Sequence, residues 1–146
     1  MKQILIFLAL SCLASSTGQQ KRSINIEGYD NLRYSVQQIT VAPGTEIELT
    51  LKTVSSLPES QMAHNWVLMK KDAEIQRFVN NSIQHRENGY IDPEMTGMIL
   101  AATSMLGGGE SETITFTAPE ARGDYIYVCT FPGHYVAGMK GTLTVK

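Results

Sequence analysis

At 146 residues the chain is long enough for one domain with a buried core that needs no cross-links. Lys+Arg total 12 and Asp+Glu 14, a net charge of -2 with no long basic run, which excludes the electrostatic footprint of a nucleic-acid binder. The two cysteines, Cys12 and Cys129, are too few for a disulfide framework.

The N-terminus "MKQILIFLALSCLASSTG" places Lys2 before an apolar run from Ile4 to Leu10 and then small residues. That is the pattern of a secretory leader, too short for a retained membrane span. Residues 1–22 read as leader and tether, and 23–146 as the domain. "LALSC" resembles a bacterial lipoprotein cleavage box, in which Cys12 becomes the acylated N-terminus. Ordinary cleavage near Ala14 or Ser16, discarding Cys12, is the alternative. Lipidation is preferred because cysteines are uncommon in leaders, and it implies an exported protein, periplasmic or membrane-attached. A leader cysteine is a poor disulfide partner, so Cys129 needs another occupation.

Along the chain, Ile24 and Ile26 alternate with polar residues as in a half-buried strand. A second strand is predicted around Tyr34–Val41, then a turn at "APGT", then a strand alternating Ile47, Leu49 and Leu51 with polar residues. "HNWVLMK", His64–Lys70, is apolar and β-prone, a buried strand whose Trp66 belongs to the core. From Asp72 to about Leu106 the pattern turns helical. Ile75, Phe78, Val79 and Ile83 recur at helical spacing behind Asp72 as N-cap, and Pro93 opens a second short helix. Strands return in "ESETITFTAP", "GDYIYVC" and "GTLTVK". About eight short strands with one helical insertion make an all-β sandwich carrying a flap.

The segment "CTFPGHYVAGMKG" carries the chemistry. His134 lies five positions after Cys129, and Met139 five after His134. Pro132, Gly133 and Gly138 make this a long hairpin loop that can turn all three side chains to one point. Thiolate, imidazole and thioether together favour copper, especially Cu(I), over magnesium or calcium. Zinc accepts Cys and His but wants four strong ligands, and Met is not one. Two His, one Cys and a weak axial Met is the blue-copper ligand set, so a second histidine is required. His85 sits in the insertion beside Arg86 and Glu87, a polar setting. His64 opens an apolar strand at the mouth of the sandwich and is the better choice. Singly, Cys129 reads as a buried hydrophobe, Met139 as core filler and His64 as a core histidine; their conjunction argues otherwise.

"AHNWVLMKKD", "LGGGESETITFTAP" and "GDYIYVCTFPGHYVAGMKGTLTVK" together resemble the azurin and auracyanin branch of the cupredoxins, over nearly all the chain after about Ser23. The resemblance implies a Greek-key β-sandwich holding one type 1 copper that carries single electrons, and no enzyme activity. Residue by residue, Cys129 falls at the thiolate ligand, His64 and His134 at the equatorial imidazoles, and Met139 at the axial thioether. The backbone carbonyl of Ala63 falls at a weak fifth contact, where azurins usually have glycine. Asn65 matches the asparagine that ties the first histidine's strand to the cysteine loop, and Phe131 and Pro132 the residues that exclude water. The family's N-terminal disulfide has no counterpart. Electrons are expected to cross at the ring edge of His134, within an apolar patch drawn from Met62, Met95, Leu106, Phe131 and Ala137. The implied partners are redox proteins such as c-type cytochromes or membrane oxidoreductases, docking near His134 on a monomer. Two rivals stand beside this: a copper chaperone or storage protein on the same fold, and an enzyme with a Cys–His nucleophile. The second lacks a Gly-rich oxyanion loop before Cys129.

Overall fold

The computed structural model describes residues 20–146. Lys2, Cys12 and the leader lie outside them. Eleven strands follow in chain order: β1 (Lys21–Tyr29), β2 (Arg33–Tyr34), β3 (Gln38–Val41), β4 (Glu46–Val54), β5 (Ala63–His64), β6 (Val67–Met69), β7 (Ile99–Ala102), β8 (Leu106–Gly107), β9 (Ser111–Thr117), β10 (Gly123–Val128) and β11 (Lys140–Val145). They form a Greek-key sandwich with one sheet ordered β2-β1-β4-β9, a second ordered β3-β11-β10-β6-β7, and a two-stranded ribbon β5-β8. β1 runs parallel to β4, from Lys21 opposite Glu46 to Tyr29 opposite Val54. The alternation seen in the sequence decides the faces: Ile24, Ile26 and Gly28 of β1 and Ile47, Leu49 and Leu51 of β4 point inward. Trp66 lies fully buried among them, its ring 5.6 Å from Phe116 and 5.2 Å from Tyr127.

The segment 63–69 is buried throughout because both of its faces are covered. One faces the sandwich core. The other, with Val67, Met69 and Val128, is roofed by Phe78 and Val79 of α1 (Ile75–Ser82) and by Met95.

Several elements differ from the sequence expectation. The strand expected over 34–41 divides, Tyr34 joining the first sheet and Gln38–Val41 the second, so the chain switches sheets at Ser35–Gln37. The strand from His64 breaks at Asn65 and Trp66. Helix α1 starts behind Glu74, with no side-chain cap, instead of behind Asp72. Pro93 does open a helical turn, the 3-10 segment Pro93–Met98, where Asp92 accepts from the Glu94 N–H at 2.9 Å. The insertion stops there instead of reaching Leu106, because Ile99–Ala102 pairs with β6. These divisions raise the strand count from about eight to eleven. β1 begins two residues ahead of the 22/23 boundary, since Lys21 and Arg22 already pair with Glu46 and Ile47. No helix among the described residues is long and apolar enough to cross a membrane.

Candidate metal centre

Two chain segments meet at one end of the sandwich. β5 brings His64, and the turn after β10 brings Cys129 and His134. Cys129 Sγ lies 3.4 Å from His134 Nδ1 and 3.9 Å from His64 Nδ1, and the two imidazole nitrogens are 3.3 Å apart. A point equidistant from all three lies about 2.1 Å from each, within the range of protein metal–nitrogen (about 2.0–2.1 Å) and metal–sulfur (about 2.3 Å) bonds. No carboxylate joins the cluster among the described residues.

Met139 is fully buried beside it. A Cβ added at Gly28 would fall 2.7 Å from His64 Cδ2 and 3.0 Å from Met139 Cε, so the inner face of β1 supports the imidazole and the thioether together. Only glycine allows that approach. The alternation of β1 places residue 28 inward, the one sequence signal that pointed to it.

The loop between Cys129 and Met139 is a run of turns. His134 N–H donates to Phe131 O at 3.1 Å, Met139 N–H to His134 O at 2.9 Å and Cys129 N–H to Met139 O at 3.1 Å. Gly138 has φ 103°, a region costly for other residues, and lets the chain turn back into β11. Asn65 fastens this loop to β5. Its Oδ1 accepts from the Thr130 N–H at 2.9 Å, and its Nδ2 donates to Thr130 Oγ1 at 2.7 Å and to Gly89 O at 3.4 Å. The Tyr34 hydroxyl donates to the Asn65 carbonyl. Tyr34, Thr130 and Gly89 were not singled out in the sequence, because each matters only once β2 and the insertion have folded against the loop.

Burial dominates the electrostatics. It pushes the Cys129 thiol up to about 12, against the pull of the Asn65 and Phe131 backbone N–H groups. It pushes His64 down to about 4, opposed by the Asp30 carboxylate and the Tyr29 carbonyl, and His134 down to about 4 with a contribution from neighbouring His64. The imidazoles are therefore neutral near pH 7, with lone pairs available to a cation, whereas the thiol gives up its proton on binding one.

The other expected residues distribute as follows. Ala63 is buried directly before His64, opposite Gly107 in the β5–β8 ribbon. Phe131 is half-buried with its ring 4.6 Å from His134, and Tyr90 packs edge-on against it at 5.4 Å. Pro132 is half-buried in the same loop. Met62 is half-buried, Leu106 buried opposite His64, and Ala137 exposed. Met95 does not belong to a surface patch: it is 8% exposed, packed within the insertion's own apolar cluster, its sulfur accepting from Asn81 Nδ2 at 3.5 Å. Val136, 75% exposed on the loop, was overlooked. His85 is not part of the cluster and lies between Glu87 and Asp92 at 3.6 Å each.

Residues 20–146 match the model of the copper-binding proteins of the plastocyanin/azurin family. Auracyanin-B of Chloroflexus aurantiacus is 39% identical over 117 residues, 80% of this chain but 48% of that protein, so the chain spans about half its length. The azurin of Pseudomonas aeruginosa is 33% identical over 141 residues, 94% of this chain and 93% of that one. Among solved structures, dithionite-reduced auracyanin from the photosynthetic bacterium Roseiflexus castenholzii superposes with a TM-score of 0.73 at 39% identity, covering 85% of this chain and 96% of that one. Auracyanin A of Chloroflexus aurantiacus reaches 0.77 at 31% identity, covering 86% and 99%.

Proposed function

Since the chain belongs to the plastocyanin/azurin family of copper-binding proteins, blue-copper electron carriers, with copper as its cofactor, we propose that it is an exported carrier shuttling single electrons between redox proteins. The observation that carries this reading is the buried triangle of His64, Cys129 and His134 with Met139 beside it. In this reading His64, Cys129 and His134 would hold the metal, with the Met139 thioether as a weaker donor and the Ala63 carbonyl as a further contact. Bound copper supplies a one-electron couple between Cu(I) and Cu(II).

The protein's own groups make that couple useful. Asn65 and the loop hydrogen bonds pin Cys129, His134 and Met139, so the donors need move little when the charge at the centre changes. Phe131 and Pro132 shield the centre from water. His134 is 4% exposed where His64 and Cys129 are fully buried, so of the three donors it is the one that reaches the surface, and in this reading the electron crosses there to a docked partner. Partners such as c-type cytochromes or membrane oxidoreductases would approach there, meeting a monomer. The residues before β1 act as leader and tether, with Cys12 as the lipid attachment point on the outer side of the membrane. Mass spectrometry of the purified N-terminus tests that last point: an acylated Cys12 is expected, and a chain starting after it refutes the anchor.

The reading competes with copper delivery or storage on the same fold. Voltammetry of the copper-loaded protein separates them. A carrier gives a reversible one-electron wave and keeps its metal when mixed with an apo acceptor; an irreversible wave with metal handover would favour the rival.

A further inference from the structure

The loop that carries His134 and Met139 has two unlike flanks. Towards the insertion, a 420 Å³ cavity is lined by Glu59, Glu87 and Arg86 along with Tyr90 and Phe131. A separate 370 Å³ cleft is lined by Arg33, Gln37, Gln38, Tyr135, Lys140 and Thr142, together with Ile75 of α1 and Ile126, and no carboxylate lines it. Arg33 and Lys140 are exposed, and neither takes part in the ion pairs of the described residues, which join Lys21 to Glu48, Arg77 to Glu74, and His85 to Glu87 and Asp92.

Both cations are held in place. Arg33 Nη1 donates to Ala137 O at 2.6 Å and to Leu32 O at 2.9 Å, and the guanidinium lies against Gly138, where an added Cβ would come within 2.9 Å of Nη1. Leu32, just before it, takes a left-handed φ of 59°, uncommon for a leucine and kept only where surrounding contacts demand it. Lys140 Nζ sits 5.2 Å over the Tyr135 ring. These bonds engage one guanidinium nitrogen and leave the rest of the fork for an acceptor in the cleft. Two ordered cations beside two amide side chains and a hydroxyl form a site whose missing component is a carboxylate.

Resting on the electron-carrier reading, we propose that the cleft between Arg33 and Lys140 docks acidic side chains of a redox partner. Its walls include Tyr135 and Gly138, the sequence neighbours of His134 and Met139, so a partner seated there touches the loop that carries the electron's exit. Contacts of this kind mainly raise the association rate and weaken with salt.

The test is a titration of isotope-labelled, copper(I)-loaded protein with an oligoglutamate peptide at low ionic strength, followed by NMR. Amide shifts confined to residue 33, residues 37–38 and residues 135–142 are expected, with Lys140→Glu weakening binding by about tenfold and Lys140→Arg preserving it. Because Lys140→Glu puts a carboxylate in the cleft that Arg33 also lines, Lys140→Gln, which only removes the charge, is expected to weaken binding in the same direction. An unchanged denaturation midpoint in both separates binding from folding; Arg33→Lys, keeping charge but losing the fork, should weaken binding less. The proposal is overturned if the shifts map to Lys70 and Lys71, if Lys140→Glu binds as the parent does, if inorganic phosphate competes as well as the peptide, or if the cleft is filled by a second copy of the chain. The colour of the oxidised sample reports the carrier reading separately, so either can fail alone.

Discussion

The loop from Cys129 to Met139 and the insertion from Asp72 to Met98 both leave the main sheets, yet they are held in opposite ways. The insertion is fixed by apolar packing, with Phe78, Val79 and Met95 over Val67, Met69 and Val128. The loop turns its polar donors inward, burying Cys129, Thr130 and His134, and leaves its aliphatic Val136 in solvent. Burying imidazoles and a thiol is unfavourable unless something binds them. The loop's inner surface is thus arranged for a ligand, and the insertion's for stability.

Substitutions should divide along that line. The largest effect is expected from Cys129→Ala, which removes the only sulfur of the His64–Cys129–His134 triangle and should abolish the blue thiolate-to-copper absorption while the chain still folds. Phe78→Ala, in the insertion, should lower unfolding free energy by about 3–5 kcal/mol in denaturant titration yet leave that absorption at the same wavelength. Asn65→Ala spans both regions. It strips the Thr130 N–H of its buried acceptor and should cost about 1–3 kcal/mol. Unlike the Phe78 change, it should also move the reduction potential, because the loop shifts around the sulfur. Met139→Leu nearly conserves volume and should destabilise by less than about 1.5 kcal/mol. Voltammetry should show a higher potential, since losing a donor disfavours the more highly charged copper. Val136→Ser, on the exposed crest, should change stability by no more than about 0.5 kcal/mol and leave the spectrum alone.

The same contrast explains what could be read from the chain beforehand. Cys129, His134 and Met139 share one hairpin, so their meeting needed only a loop, and His64 was marked by the apolar strand behind it. Period-two alternation likewise outlined β1 and β4. The insertion was harder. Ile99–Ala102, "ILAA", has strong helix formers, but pairing with β6 overrode local preference. Met95 looked available to a surface patch because nothing local reveals that α1 and its neighbours cover it. Gly28, Tyr34 and Gly89 reach the centre only through tertiary placement: a parallel β1–β4 pairing, a change of sheet after Tyr34, and the insertion folding back to Asn65.

The most direct measurement is a titration of the metal-free protein with Cu(II), followed by visible absorption. One equivalent should saturate an intense blue band, accompanied by release of the Cys129 proton. A pale spectrum typical of nitrogen and oxygen ligands, or saturation at some other stoichiometry, would contradict the account.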